Sequence, residues 1–266
     1  MAEVPDDDKV VPLDRDPFAA LRRATSARIG LGRTGEAMPL ASVLAFQHAH
    51  AKARDAVHLP LDVEGLEARL APFRPIRVAS EASDRATYLK RPDLGRRLAE
   101  ASRGALTESG TGFDVAVLIA DGLSATAVDA HGAAVFEALA RRLGAFSLAP
   151  PVIATQARVA LGDDVGEALG ARLVVVLIGE RPGLSVAESL GAYLTFAPAR
   201  GRRDNERNCV SNIHGQGGLA VEAAADKIAW LAREALARGL TGTGLKDEEP
   251  AAIEARSRPA ALPPDS

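Results

Sequence analysis

The sequence predicts an α/β fold, a mostly parallel sheet flanked by helices, with an N-terminal helical subdomain ahead of it. Leu173 to Ile178, closed by Gly179, is an apolar run rich in β-branched residues. It is too short for a solitary helix and reads as a strand buried on both faces. Phe113 to Ala120 (FDVAVLIA) has the same character. Helix-length segments with apolar residues at helical spacing alternate with these runs, and that alternation favours parallel strands joined by right-handed crossovers.

In chain order, residues 1–16 are polar and acidic without periodicity and read as disordered. From Asp16, DPFAALRRAT offers an N-cap, a proline at the first helical position and an apolar stripe, which predicts a helix ending near Ser26. Pro39 to Val57 and Val63 to Leu70 read as two more helices, so 17–90 forms an N-terminal helical region. Within it, Pro72, Pro75 and the alternating Ile76-Arg77-Val78 mark a linker or an irregular strand. Asp84 to Arg97 leads into a helix reaching about Leu106. The α/β domain occupies 91–243. After the strand at Phe113–Ala120 come a long helix from Ala125 to Leu143, a short strand at Pro151–Ala154 with its loop Thr155–Val159, and a short helix from Asp163 to Leu169. The central strand follows, then a strand within Ser189–Pro198 and a polar stretch from Arg207 to Gly218. Val221 to Arg238 closes the domain as an amphipathic helix with Trp230 and Leu231 on its apolar side. Residues 244–266 are rich in proline and charge and read as a disordered tail.

At 266 residues, with 47% hydrophobic and 25% charged residues, the chain can bury a substantial core. Its net charge of −3 gives no electrostatic footprint for nucleic acid or an anionic membrane. No apolar run approaches the roughly 20 residues of a membrane span. The start MAEVPDDDK lacks the basic and apolar regions of a signal peptide, so cytoplasmic residence is expected. The single cysteine, Cys209, excludes an internal disulfide and a multi-cysteine metal site.

In an open α/β sheet, ligands lie beyond the carboxyl ends of the strands. Three loops gather there: Asp121 to Ser124, Thr155 to Val159, and the turn Gly179-Glu180-Arg181-Pro182-Gly183. Arg207 to Gly218 is expected to fold over them. Glu180 can accept hydrogen bonds from amide-type donors, which places the Glu180-Arg181 pair to touch a ligand; a solvated turn is the alternative account. Other patterns are weaker. Gly30 to Gly35 matches GxGxxG, but no convincing strand feeds it, and a loop joining two helices or docking on a partner fits better. His48 and His50 sit two apart on a helix with no acidic or cysteine partner at i+4. A Cys209–His214 thiol centre lacks a third group to orient the histidine, and DGLS ahead of His131 lacks the flanks of a nucleophile elbow.

Five longer motifs, ARIGLGRTG, SDRATYLKRPDLGRRL, VLIADGLSATAV, VLIGERPGLS and RNCVSNIHGQGG, closely resemble the small (light) subunit of ethanolamine ammonia-lyase, in the family's order from about Ala20 to Arg238. The resemblance implies a Rossmann-like domain in a two-subunit lyase (EC 4.3.1.7) that depends on adenosylcobalamin and converts ethanolamine to acetaldehyde and ammonia. A large subunit would carry the (β/α)8 barrel and the ethanolamine site, with the corrinoid held between the chains in an assembly of six small and six large subunits. The implied cobalamin contacts are Val159, Glu180 and Cys209, with no catalytic residue and no metal ligand in this chain. Asp129-Ala130-His131 begins the D-x-H-x-x-G cobalt-ligand motif of other corrinoid enzymes, but Ala134 replaces its glycine. This agrees with a cofactor that keeps its own benzimidazole on the metal. Residues 1–16 lack the amphipathic segment that sends some members into a bacterial microcompartment. The alternative is a non-catalytic corrinoid- or nucleotide-binding module serving a different partner.

Overall fold

The computed structural model describes residues 17–25 and 27–246. The disorder expected of residues 1–16, and of the tail beyond Lys246, falls outside the described residues. Six strands form one sheet in the order β1-β3-β2-β4-β5-β6. They are β1 (Ile76–Ala79), β2 (Val115–Ala120), β3 (Val152–Thr155), β4 (Leu173–Gly179), β5 (Leu190–Phe196) and β6 (Asn208–Ile213). The first four are parallel, as the alternation with helices predicts, while β5 runs antiparallel to both β4 and β6. The fold is therefore α/β with a mostly parallel sheet.

The helices are α1 (Ala19–Ala24), α2 (Leu40–His58), α3 (Val63–Leu70), α4 (Arg85–Lys90), α5 (Glu100–Glu108), α6 (Ala125–Arg142), α7 (Leu161–Ala168) and α8 (Val221–Arg238). α1 is shorter than its sequence predicts: it starts at Ala19, and Phe18 at its N-cap offers no side-chain hydrogen bond. Gly30 to Gly35 joins α1 to α2, and among the described residues a helix and not a strand leads into it, so the strand–turn–helix geometry of the dinucleotide motif is not formed there.

Every residue of β2 and β4 is buried, because both faces of these central strands are covered. On one face Val115, Val117 and Ile119 pack with Leu173, Val175 and Leu177 against α6 and α8. The opposite face, with Ala116, Leu118, Val174 and Val176, meets α5 and α7. β5 continues the first face through Leu190, Ala192 and Leu194, whereas Tyr193 points to the second and is only half-buried.

One stretch settles an alternative left open by the sequence, and two depart from their sequence expectations. Ile76–Ala79, expected as a linker or irregular strand in the helical region, is an edge strand paired in parallel with β3. A four-residue run is enough because an edge strand needs one partner and one buried side chain, here Val78. Arg207–Gly218, expected as a covering loop, contains β6 instead. A register shift opposite Leu190/Ala192 puts both Val210 and Ile213 into the core and leaves Cys209, Ser211 and Asn212 outside. That bulge breaks the period-two pattern by which a sequence betrays a strand. Finally, Leu245, expected in the tail, is 2% exposed and its carbonyl accepts from Asn208 Nδ2 at 2.7 Å.

Candidate functional site

The loops at the carboxyl ends of β2, β3 and β4 are tied together by the backbone. Asp121, 3% exposed, accepts from the N–H groups of Gly122 (2.9 Å), Gln156 (2.7 Å) and Ala157 (2.9 Å). The guanidinium of Arg85 lies 3.6 Å away. Burial still raises the pKa of this carboxyl, against those hydrogen bonds and the arginine. Asp121 thus clamps the β2 loop to the β3 loop. Ser124 is fully buried; its Oγ caps α6 by accepting from Ala127 N at 3.3 Å and donates to the Ala187 carbonyl at 2.8 Å. No hydrogen bond joins it to His131 among the described residues, so the hydrolase arrangement is not assembled.

Glu180 leaves the end of β4 and folds back over β5. Its Oε2 accepts from Ser189 Oγ (2.6 Å) and from the Asn212 N–H (3.3 Å). Among the described residues Oε1 accepts from no donor. Beneath the carboxylate lies Gly191, where an added Cβ would stand 3.0 Å from Oε1. The absent side chain makes the space that Glu180 occupies.

Cys209 faces Tyr193 across the β5–β6 ladder and is exposed at the surface. Partial desolvation of the sulfur, aided by the nearby Glu180 charge, raises the thiol pKa against the opposing effect of Tyr193. A thiol held protonated is a poor nucleophile. His214 is occupied elsewhere, with Nδ1 accepting from Gln216 N at 3.2 Å. The thiol–histidine centre is therefore not formed either. Burial also raises the Tyr193 hydroxyl pKa, with further contributions from Cys209 and Glu180.

Val159 lines a cleft of about 240 Å³ together with Tyr193, Arg96, Arg158 and Arg207. Tyr193 is the residue that links the set: it walls the cleft beside Val159, faces Cys209 across the ladder and feels the charge of Glu180. Glu180 itself does not line that cleft. Arg207 is anchored below by Asp163, with Nη1 and Nη2 donating to its two carboxylate oxygens at 2.7 and 2.6 Å and Nη1 also to Thr195 Oγ1 at 2.6 Å. Sequence reasoning missed Tyr193 and the three arginines. The one available signal was the alternation of LGAYLTF, which turns Tyr193 away from its apolar neighbours.

Other expectations resolve simply. His48, His50 and His58 are on α2, all three exposed, and the described residues hold no cluster of three or more potential metal ligands. His131 is on α6, and its D-x-H neighbour Asp129 accepts from the Asp62 N–H instead (3.2 Å). No helix among the described residues is long and apolar enough to cross a membrane.

Comparison with known proteins agrees with this architecture. The family model for the ethanolamine ammonia-lyase light chain (EutC) matches residues 15–246. Proteins named ethanolamine ammonia-lyase small subunit are similar over nearly the whole length. The Xanthomonas campestris pv. campestris protein is 54% identical over 243 residues, covering 88% of this chain and 89% of the relative. That of Bradyrhizobium diazoefficiens is 52% identical over 247 residues, 91% and 94% of the two chains. That of Azotobacter vinelandii is 50% identical over 245 residues, 89% and 90%. The chain belongs to the ethanolamine ammonia-lyase small-subunit family.

Proposed function

We infer that this chain is the cofactor-holding subunit of an adenosylcobalamin-dependent lyase that converts ethanolamine to acetaldehyde and ammonia, with a separate large subunit binding ethanolamine. The observation that supports this inference is the surface around Tyr193: Val159 lines its cleft, Cys209 faces it across the strand ladder, and Glu180, outside that cleft, carries a carboxylate oxygen that accepts from no donor among the described residues. A corrin ring presents complementary chemistry, an apolar edge fringed with primary amides. Glu180 Oε1 accepts an amide N–H, Val159 covers the ring edge, and Cys209 contributes packing and its main chain rather than a bond to cobalt.

Bound adenosylcobalamin supplies the radical chemistry, and the protein supplies position and electrostatics. In this chain Ser189 and the Asn212 N–H hold Oε2 of Glu180 and leave Oε1, above Gly191, as the oxygen open to a further donor. Asp121 keeps the neighbouring loops in register. No side chain here is assigned as acid or base on ethanolamine, and His131, half-buried on α6, is not assigned as a cobalt ligand. The assembly is taken to be six small and six large subunits in the cytoplasm.

The test is ethanolamine-dependent acetaldehyde formation by this chain, by its large subunit, and by the two mixed, alongside corrinoid binding followed by absorbance. Activity should require the mixture. Glu180→Ala, which loses a hydrogen bond to the cofactor, should raise the apparent Kd for adenosylcobalamin by about tenfold. A properly assembled mixture that neither turns over ethanolamine nor binds the corrinoid would sink the assignment.

A further inference from the structure

The cleft beside Val159 is cationic in a way that corrin amides do not explain. Arg96, Arg158 and Arg207 line it against a single carboxylate, Asp204. Arg207 is neutralised by its two-pronged bond to Asp163. Arg96 and Arg158 form no ion pair among the described residues, and the Arg96 side chain is exposed. Arg158 is held by the buried ring of Tyr88, with its guanidinium 4.2 Å from the ring centroid, and by a long hydrogen bond to the Tyr88 carbonyl at 3.4 Å. The Nε of Arg158 is buried without a hydrogen-bond acceptor, whereas that of Arg207, whose side chain is only 2% exposed, faces the Asp204 carboxylate at 4.0 Å. Buried N–H donors are nearly always paired, so the unpaired Arg158 Nε, beside two guanidinium groups that have no carboxylate partner among the described residues, points to an acceptor-rich partner there.

A corrinoid carries many neutral amides and one anionic group, the phosphodiester of its nucleotide loop. Guanidinium forks match phosphate oxygens in geometry and charge. The cleft is too small for the macrocycle and fits one polar arm of it. We propose that Arg96 and Arg158, at the Val159 side of this cleft, form the subsite for the nucleotide-loop phosphodiester. This rests on the corrinoid-holding function inferred above and divides its labour: Glu180 takes amide donors, and the arginine pair takes the anion.

The experiment titrates the assembled two-subunit complex, by corrin absorbance, with three cofactors. Adenosylcobalamin has phosphate and base, adenosylcobinamide phosphate has phosphate without base, and adenosylcobinamide has neither. Arg96→Gln, an exposed substitution that leaves the fold intact, should weaken the two phosphate-bearing cofactors by about tenfold and the third by less than about twofold. Arg96→Lys should recover part of that loss, and Arg158→Gln should repeat the pattern. Equal weakening of all three, or of none, overturns the phosphate subsite while leaving the corrinoid assignment standing. Failure of the unsubstituted complex to bind any of the three overturns both. Inorganic phosphate, titrated by calorimetry, separates the remaining source: if Arg96→Gln abolishes phosphate binding yet treats the three corrinoids alike, the cleft is an unrelated anion site and the proposal falls.

Discussion

Glu180 acts through what surrounds it. Its carboxylate is aimed by Ser189 and by the Asn212 N–H, and it lies where Gly191 has no side chain. Gly191→Ala would bring a methyl group against the far end of a flexible side chain, which can swing away at little cost to the fold. The expected result is a shift in thermal midpoint of less than about 3 °C, equivalent to under about 1 kcal/mol, together with a several-fold rise in the adenosylcobalamin Kd of the complex. Calorimetry and corrinoid titration on the same sample check both. A large thermal loss with unchanged affinity would mean that Gly191 serves β5 and not Glu180.

At the level of the element, the turn after β2 and the end of β4 are built on mutual close approach. Leu123 N donates to the Gly179 carbonyl at 2.9 Å. A Cβ on Gly179 would collide with the Ser124 carbonyl oxygen and stand 2.6 Å from that of Asp121. Gly122, at φ +57°, meets the Gly179 backbone in the same way. These obstacles are main chain and cannot rotate aside. Gly179→Ala should therefore cost about 3 kcal/mol or more, seen as a lower midpoint in urea unfolding. The penalty at Gly191 should be much smaller, although both glycines sit at strand ends beside Glu180. Comparable stability of the two variants would show that the turn can relax.

Across the whole molecule, carboxylates on α7 fasten distant segments to the sheet. Asp164, 3% exposed, accepts from Arg200 Nε and Nη2 at 3.0 and 2.6 Å and from the Leu98 N–H at 3.0 Å. Burial raises its pKa, but the Arg200 and Leu98 bonds outweigh that and hold it below the ordinary aspartate value. A carboxyl whose folded pKa is depressed stabilises the fold above the unfolded value, about 3.9, and loses that contribution as pH falls through the folded value. Asp114, bonded to the Ser147 N–H and to Arg172, behaves in the same way. Asp164→Asn should lower stability by about 1–2 kcal/mol at neutral pH and flatten the acid limb of stability against pH below about 4. Urea unfolding across that range checks it; an unchanged acid limb would place the linkage elsewhere.

The local signals in the chain determined its main elements. The apolar runs of β2 and β4 are buried on both faces, and α3 and α8 occupy the spans their periodicity predicts, because burial pattern and helical spacing are properties of neighbours in sequence. The turn holding Glu180 was legible for the same reason, since a charged pair closing a buried strand must lie at the sheet's carboxyl edge. Family motifs, and not spacing, singled out Val159 and Cys209. Tertiary structure alone decided the rest. β1 and β6 are strands because a neighbouring strand supplies the hydrogen-bonding partners that their short or bulged sequences do not announce. Tyr193 links Val159 to Cys209 only after β5 pairs with β6 and turns its aromatic ring from the core. The arginine wall arises because Arg96, Arg158 and Arg207, separate in sequence, are brought together by the α4–α5 connection, the loop after β3 and the start of β6. Burial, charge pairing and an unfilled acceptor are relations between distant residues, and those relations come into being only when the chain has folded.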